Sequence, residues 1–255
     1  MAYNRRSFLQ TSAAATAGIS LAGLPLLSCA GKVTADKKKY GLQLYTVRND
    51  VAKNLSGTLD YVAKAGYSQI ELYGFDGNTF FGKSPKEFKA LFDGLKLTSP
   101  SGHYNFGGVL QSGNLDFWKK VLEAANIMGN EYATVPWLDA NQRGADTLPK
   151  LVELVNKAAE LTKAAGMKLA YHNHDFEFTK FGDTTGYEIM LNETDKKLVD
   201  FELDLYWAVR SGGDPLAMFK AHPGRFTMFH IKDMDKTNKS LNTEIGIGGV
   251  DFKAI

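Results

Sequence analysis

Short apolar runs alternate with longer amphipathic segments along the chain from Tyr40 onward. Short apolar runs are typical of buried parallel strands, and amphipathic segments are typical of the helices that join such strands. The pattern predicts seven strands, over residues 40–45, 69–73, 95–103, 132–137, 168–174, 198–204 and 225–231. It predicts helices over about 50–65, 85–93, 114–128, 147–165, 185–193 and 214–221. We therefore expect an α/β protein with a parallel sheet.

Glycines mark the points where most of the predicted helices end. Each is followed within a few residues by a predicted strand, and the five are Gly66, Gly94, Gly129, Gly166 and Gly224. Because glycine readily takes the left-handed conformation that ends helices, five such caps indicate one repeated βα unit.

The predicted strands end on residues that are mostly polar or aromatic, namely Tyr45, Glu71, His103, Trp137, His174, Asp204 and His230. A doubly wound sheet has a similar period, but its first βα turn usually carries a phosphate-binding glycine cluster, which residues 45–48 lack. A (β/α)8 barrel gathers the carboxyl ends of its strands around one mouth. The pattern therefore favours a TIM barrel with an active site built from these strand ends.

Seven strands are one fewer than a closed (β/α)8 barrel contains. Residues 250–255 resemble the first turn of another helix, and an eighth strand with its helices requires roughly 30 to 40 more residues. We expect a TIM barrel that is truncated after the seventh strand. A complete seven-unit variant and a barrel closed by another chain are the alternatives.

The first 29 residues have the features of an export signal. Arg5 and Arg6 precede Ser-Phe-Leu, and an uncharged run of small and apolar residues extends to Leu27. This order resembles a twin-arginine signal, and the run is too short for a membrane-spanning helix.

Cys29 ends a Leu-Leu-Ser-Cys segment that resembles a lipobox. Lipidation at Cys29 predicts an exported, periplasmic lipoprotein whose contact with the membrane is through this anchor, and a chance thiol is the alternative. The expected organisation is a signal over 1–29, a polar tether over 30–39 and the barrel domain over 40–255.

Composition limits the remaining classes of function. A single cysteine excludes an intramolecular disulfide and a cysteine-based metal site, so any metal must be bound by His, Asp or Glu. Loss of Arg5 and Arg6 with the signal leaves 28 of the 30 basic side chains against 28 acidic ones. A neutral chain has no electrostatic preference for nucleic acid.

The end of the fifth strand carries His172, His174 and Glu177 within six residues. Asp204 follows Glu177 by 27 residues, and His230 follows Asp204 by 26. One βα unit per step brings Glu177, Asp204 and His230 to one barrel mouth, where they can converge on a cation. Taken singly each has another explanation, such as a helix cap for Asp204. The common spacing favours a site for Mn²⁺, Mg²⁺, Co²⁺ or Zn²⁺.

Five segments together resemble the sugar phosphate isomerase/epimerase family of the xylose-isomerase-like TIM-barrel superfamily, which includes inosose dehydratases, ketose 3-epimerases and endonuclease IV. They are Gly41-Leu42-Gln43-Leu44-Tyr45 with Arg48, Ile70-Glu71-Leu72, residues 172–178, Asp204-Leu205-Tyr206-Trp207 and His230-Ile231-Lys232-Asp233. The resemblance implies one divalent metal, held by residues that correspond here to Glu177, Asp204 and His230. A fourth ligand of the family comes from an eighth strand. Ile247 stands where the family usually has Glu between two glycines.

Such a metal site implies an isomerase or epimerase that removes the proton alpha to the carbonyl of a sugar or keto-sugar, through an enediolate. A lyase or dehydratase of the same fold and a non-catalytic carbohydrate-binding lipoprotein are the alternatives, and a DNA repair role fits a neutral exported chain poorly. Export also favours an unphosphorylated sugar.

The resemblance and the chemistry assign roles to further residues. The expected catalytic residues are Glu177 as the base, Lys232 as an oxyanion stabiliser and His174, which either contacts a substrate hydroxyl or orients a metal ligand. A surface salt bridge between Lys232 and Asp233 is the alternative for Lys232. The expected substrate contacts are Tyr45, Glu71, His103, Trp137, His172 and Trp207.

Overall fold

The computed structural model describes residues 40–255, so the predictions for the export signal, Cys29 and the tether lie outside the described residues. Seven strands form one parallel sheet in which the order in space follows the order in the chain. They are β1 (Gly41–Gln43), β2 (Gln69–Leu72), β3 (Thr98–His103), β4 (Tyr132–Val135), β5 (Lys168–His172), β6 (Val199–Asp204) and β7 (Phe226–His230). All seven predicted strands are confirmed, with shorter bounds.

Helices connect and flank these strands as in a TIM barrel. They are α1 (Arg48–Lys53), α2 (Leu55–Lys64), α3 (Pro85–Gly94), α4 (Gly107–Ser112), α5 (Asp116–Met128), α6 (Leu148–Ala164), α7 (Gly186–Glu193), α8 (Leu205–Arg210) and α9 (Pro215–Ala221). The first predicted helix is divided at Asn54, whose extended backbone interrupts it and whose side chain accepts the N–H of Gly57. The short helices α4 and α8 were not predicted. No helix in this part of the chain is long and apolar enough to span a bilayer.

Four of the five predicted glycine caps have the left-handed conformation, at Gly66, Gly129, Gly166 and Gly224. The prediction is wrong at Gly94, which is the last residue of α3 and has no positive φ. There the chain turns two residues later, and Lys96 takes a φ of +57°. This turn also delays the start of β3 to Thr98.

The two faces of the sheet differ in polarity because successive side chains of a strand point to opposite faces. The helix-covered face is apolar and buried. Phe201 of β6 shows this packing, since its ring lies 5.6 Å from that of Tyr187 on α7. The inner face instead carries Glu71, His172 and Asp204, which are also buried.

The sheet curls so strongly that side chains of β2 and β7 meet across the inner face. Nε2 of His230 lies 2.6 Å from Oε2 of Glu71. Within residues 40–255, β1 and β7 are the two outer strands of this sheet and are not paired with each other. The curled arrangement collects the polar strand ends into one cluster.

Candidate active site

Three histidines and a glutamate meet on the inner face of the sheet. His103 ends β3, His172 ends β5 and His230 ends β7, while Glu202 lies in β6 two residues before its end. Each offers one ligand atom, and these four atoms lie within 4.8 Å of one another. We call these four residues the histidine–glutamate cluster.

Glu202 is the centre of this cluster. Its Oε2 atom lies 2.7 Å from Nε2 of His103, 3.0 Å from Nδ1 of His172 and 3.4 Å from Nε2 of His230. Glu202 is not among the site residues predicted from the sequence. A signal was available, because Glu202 is a charged residue between Phe201 and Leu203 in a buried strand and shares a face with Asp204.

Glu71 borders the cluster from β2. Its Oε2 atom accepts a hydrogen bond from Nε2 of Gln43 at 2.8 Å and lies 2.6 Å from Nε2 of His230. The Oε1 atom accepts the hydroxyl of Ser101 at 2.6 Å. Oε2 also lies 3.2 Å from Nε2 of His103. The structure thus brings Glu71 and His103 to the site and fixes Glu71 with two residues, Gln43 and Ser101, that were not predicted.

Asp204 also lies on the inner face, faces the ring nitrogens of His172 and His230 that do not face Glu202, and is wholly buried. Its Oδ1 atom accepts the N–H of Trp207 at 3.1 Å and so begins helix α8. The Oδ2 atom lies 2.6 Å from Nζ of Lys232, 3.8 Å from Nδ1 of His230 and 3.9 Å from Nε2 of His172. His172 and His230 therefore face Glu202 or Glu71 with one ring nitrogen and Asp204 with the other.

Lys232 pairs with Asp204, not with Asp233. The Asp233 carboxylate accepts backbone N–H groups of Met234, Gly246, Gly248 and Val250, and it holds the segment that follows β7. Gly248 is required there, because a Cβ atom would lie 2.2 Å from Oδ1 of Asp233.

The histidines of the site have divergent pKa values. Burial would lower the pKa of His230, but the charges of Glu202 and Glu71 outweigh it and raise this pKa to about 9. Burial lowers the pKa of His103 to about 4 and that of His172 well below its usual value. At neutral pH the latter two rings are neutral, which is the form that binds metals.

Glu177 occupies a different environment from Asp204 and His230. Its Oε2 atom accepts the N–H of His174 at 2.7 Å, and its Oε1 atom accepts the hydroxyl of Tyr171 at 3.0 Å. Tyr171 points to the helix-covered face, opposite to its neighbour His172. Burial raises the pKa of Glu177 to about 8, against the hydrogen bonds that lower it.

Glu177 is thus not one of the four residues of the histidine–glutamate cluster, and its hydrogen bonds are to Tyr171 and the backbone of His174. The physical reason is local, because β5 ends at His172 and a 3-10 turn over Phe176–Phe178 follows it. Glu177 lies in this turn, and its buried side chain accepts the backbone N–H of His174. The length of a βα unit places a residue near the mouth but does not fix the direction of its side chain.

His174 lies between two tryptophans at the side of the cluster. Its ring centroid lies 4.7 Å from that of Trp137, 5.5 Å from that of Trp207 and 4.9 Å from that of His172. The Nδ1 atom of His174 is buried and has no hydrogen-bond partner among residues 40–255. Burial lowers the pKa of His174 to about 3, so the ring is neutral.

Two half-exposed aromatic rings accompany this arrangement, each with an arginine against it. Trp137 is 42% exposed, and the Arg143 guanidinium lies 4.4 Å from its ring centroid. Tyr45 follows β1 and carries Arg48 at 4.6 Å. Trp137 contacts His174 and through it adjoins the cluster. Tyr45 instead contacts Tyr73 and Arg48.

The donor set of the cluster fits a divalent metal. Three imidazoles and a carboxylate are ligands that Zn²⁺ and similar ions prefer. Nδ1 of His172 and Oδ2 of Asp204 are buried and make no hydrogen bond of normal geometry with the described residues. Such buried acceptors are suited to a cation.

Comparisons with known proteins agree with the TIM-barrel fold. A family model described as xylose isomerase-like TIM barrel matches residues 59–255. An inosose dehydratase from Clostridium perfringens is 26% identical over 223 residues, which cover 74% of this chain and 74% of the relative.

Two solved structures are similar in fold. A sugar phosphate isomerase/epimerase from Parabacteroides distasonis has a TM-score of 0.71 and 26% identity, over 83% of this chain and 82% of that one. The IolI protein with a bound zinc atom has a TM-score of 0.59 over 78% of this chain and 76% of that one. Its identity of 17% shows likeness of fold alone.

Proposed function

This chain belongs to the xylose isomerase-like TIM barrel family, and the relatives to which it is similar are named as enzymes. We propose that it is a metal-dependent sugar isomerase or epimerase. The substrate is a sugar or keto-sugar, and the reaction removes a proton alpha to its carbonyl. The observation that carries this proposal is the convergence of four ligand atoms within 4.8 Å at the inner face of the curled sheet.

The residues that would hold the ion are those of the histidine–glutamate cluster, with Asp204 beside them. Imidazole-rich sites suit Zn²⁺ or Co²⁺ better than Mg²⁺, which prefers oxygen ligands. A divalent ion bound there would polarise the carbonyl of the substrate and stabilise the adjacent negative charge.

Proton transfer needs a carboxylate that reaches the substrate. The carboxyl of Glu177 bonds Tyr171 and the backbone of His174, whereas that of Glu71 lies against His103 and His230 of the cluster. We assign the base to Glu71, which borders the cluster and is held in one orientation by Gln43 and Ser101.

Three further residues are assigned to substrate binding. The ammonium group of Lys232 stabilises the oxyanion, and the neutral ring of His174 bonds a substrate hydroxyl. The exposed indole of Trp137 stacks on a sugar face.

A dehydratase is the second candidate, because the relative from Clostridium perfringens is named inosose dehydratase. The same proton removal followed by loss of a β-hydroxyl gives this reaction. The cluster is compatible with both outcomes, and the fate of the abstracted proton separates them.

The proposal is tested with the purified full chain, treated with EDTA and then supplied separately with Zn²⁺, Co²⁺ or Mn²⁺. A panel of ketoses, inososes and oxidised sugars is incubated in D2O and followed by NMR. We expect metal-dependent incorporation of deuterium for an isomerase or epimerase, and loss of water for a dehydratase. Absence of metal binding and of exchange would favour the non-catalytic carbohydrate-binding alternative.

We also propose that the protein is exported and anchored in the membrane through a lipid at Cys29. The support is the order of the paired arginines, the uncharged run and the Leu-Leu-Ser-Cys segment. An extracytoplasmic location agrees with an unphosphorylated substrate.

A further inference from the structure

We propose that Lys232 is an internal competitor of the metal ion. Its ammonium group pairs with Asp204 until a divalent cation displaces it, so that Lys232 lowers the metal affinity of the site. This inference rests on the proposed function, because it concerns the same cluster. It adds a residue that controls metal loading.

The position of Lys232 is the first support. Lys232 follows β7 by two residues, and its side chain is 35% exposed while that of Asp204 is wholly buried. The ammonium group therefore enters the site from the solvent side. It contacts the oxygen of Asp204 that also faces Nδ1 of His230 and Nε2 of His172.

The geometry of the ion pair is the second support. The distance from Nζ of Lys232 to Oδ2 of Asp204 is 2.6 Å, yet Oδ2 makes no hydrogen bond of normal geometry within the described chain. Oδ1 is by contrast fixed by the N–H of Trp207. Charge rather than directional bonding holds the ammonium group, and a divalent ion supplies twice that charge.

The other cationic side chains near the mouth are engaged elsewhere. The guanidinium of Arg143 lies 3.9 Å from the ring centroid of Phe176, and that of Arg210 lies 4.9 Å from that of Trp207. Among residues 40–255, Lys232 is the one lysine or arginine within 4 Å of a carboxylate oxygen of Glu71, Glu202 or Asp204. Among the lysines and arginines of the described residues, competition with a metal is therefore specific to Lys232.

Repulsion makes the two cations mutually exclusive at Asp204. A divalent ion and an ammonium group a few ångströms apart repel each other strongly where water is scarce. Each must weaken the binding of the other by the same factor. The flexible stem of lysine allows the displaced ammonium group to remain at the mouth, close to a bound substrate.

Calorimetric titration of the metal-free full chain with Zn²⁺ and with Mn²⁺ tests the inference. Lys232→Met keeps an unbranched apolar side chain and removes the charge. We expect its dissociation constant for the metal to be at least tenfold lower than that of the wild type. Lys232→Arg keeps the charge and should bind the metal within about threefold of the wild type. Lys168→Met is the matched control, because Lys168 lies at the start of β5 and pairs there with Asp200 of β6. It changes the net charge equally and should leave the affinity unchanged.

A second readout uses the unaltered chain. Acetylation of Lys232, followed by mass spectrometry, should become several-fold faster when metal is present, because the ammonium group leaves Asp204. An unchanged or slower rate would overturn the inference, and this result does not depend on the folding of any variant.

The outcomes separate the two proposals. If the wild type binds metal and Lys232→Met binds it equally or more weakly, the competition is refuted and the proposed function stands. If neither chain binds metal, the metal-dependent function fails and the inference falls with it. Circular dichroism of each variant confirms that the affinities compare folded proteins.

Discussion

Oε2 of Glu71 lies 2.6 Å from Nε2 of His230, although 159 positions separate the two residues in the chain. They belong to the second and the seventh strand of the sheet, so their contact requires the sheet to curl on itself. This contact, together with those of Glu202, converts separate strand ends into one cluster with the donor set of a metal site.

Replacement of Asp204 or His230 by Ala should weaken divalent-metal binding at least tenfold and leave the fold intact. The two residues lie at the carboxyl ends of strands, where side chains contribute more to function than to stability. Calorimetry gives the affinity, and circular dichroism gives the fold. His222→Ala is the control, because His222 follows helix α9, away from the cluster. Unchanged affinity in both variants would remove these residues from the site.

Glu177→Gln should change how stability depends on pH. The folded-state pKa of Glu177 is about 8, above its ordinary value of 4.5, because the carboxyl is buried. Folding therefore favours the protonated form, whose contribution is complete below pH 4.5 and is lost as the pH rises through about 8.

We expect the unfolding free energy of the wild type to fall relative to that of Glu177→Gln between these pH values, by on the order of a few kcal/mol at most. Denaturant titrations at a series of pH values measure this difference. Parallel profiles for the two chains would show that folding does not raise the pKa of Glu177. Glu153→Gln is the control, because Glu153 lies on the exposed side of α6.

Alanine at two of the helix-ending glycines should have opposite effects. Gly166 has a φ of +81°, so Gly166→Ala should destabilise the protein by about 1 kcal/mol. Gly94 lies at the end of α3 without a positive φ, and a Cβ there would meet no atom within 4 Å. Gly94→Ala should stabilise the folded protein by roughly 0.5 kcal/mol, because alanine reduces the conformational entropy of the unfolded chain. Thermal melts of both variants would contradict this account if their midpoints shifted in the same direction.

Cys29→Ser should release the protein from the membrane fraction. In the proposed lipoprotein the lipid would be attached through the thiol of this residue, which is the single cysteine of the chain. Labelling with a radioactive fatty acid and cell fractionation measure the effect. Arg5→Lys together with Arg6→Lys should instead block export and keep the precursor inside the cell. A wild-type protein without label would refute the anchor.

The positions of the strands could be predicted from the sequence because burial of one face of the sheet against the helices demands short apolar runs, and all seven were found. Capping glycines could be predicted at Gly66, Gly129, Gly166 and Gly224, since their conformation is a local property. Gly94 shows the limit of this rule. The turn after α3 continues to Lys96, and the local sequence does not reveal which residue takes the positive φ.

The sequence by itself determined the repeated βα unit, the α/β class and the placing of His103, Asp204 and His230 at strand ends. Only the tertiary structure decided which side chains meet. Glu177 bonds the backbone of His174 and is not part of the cluster. Glu202, which no motif marked, lies within 3.4 Å of three imidazoles. The physical reason is that spacing along the chain fixes the height of a residue in the barrel. The direction of its side chain depends on strand alternation and on the turn that follows the strand.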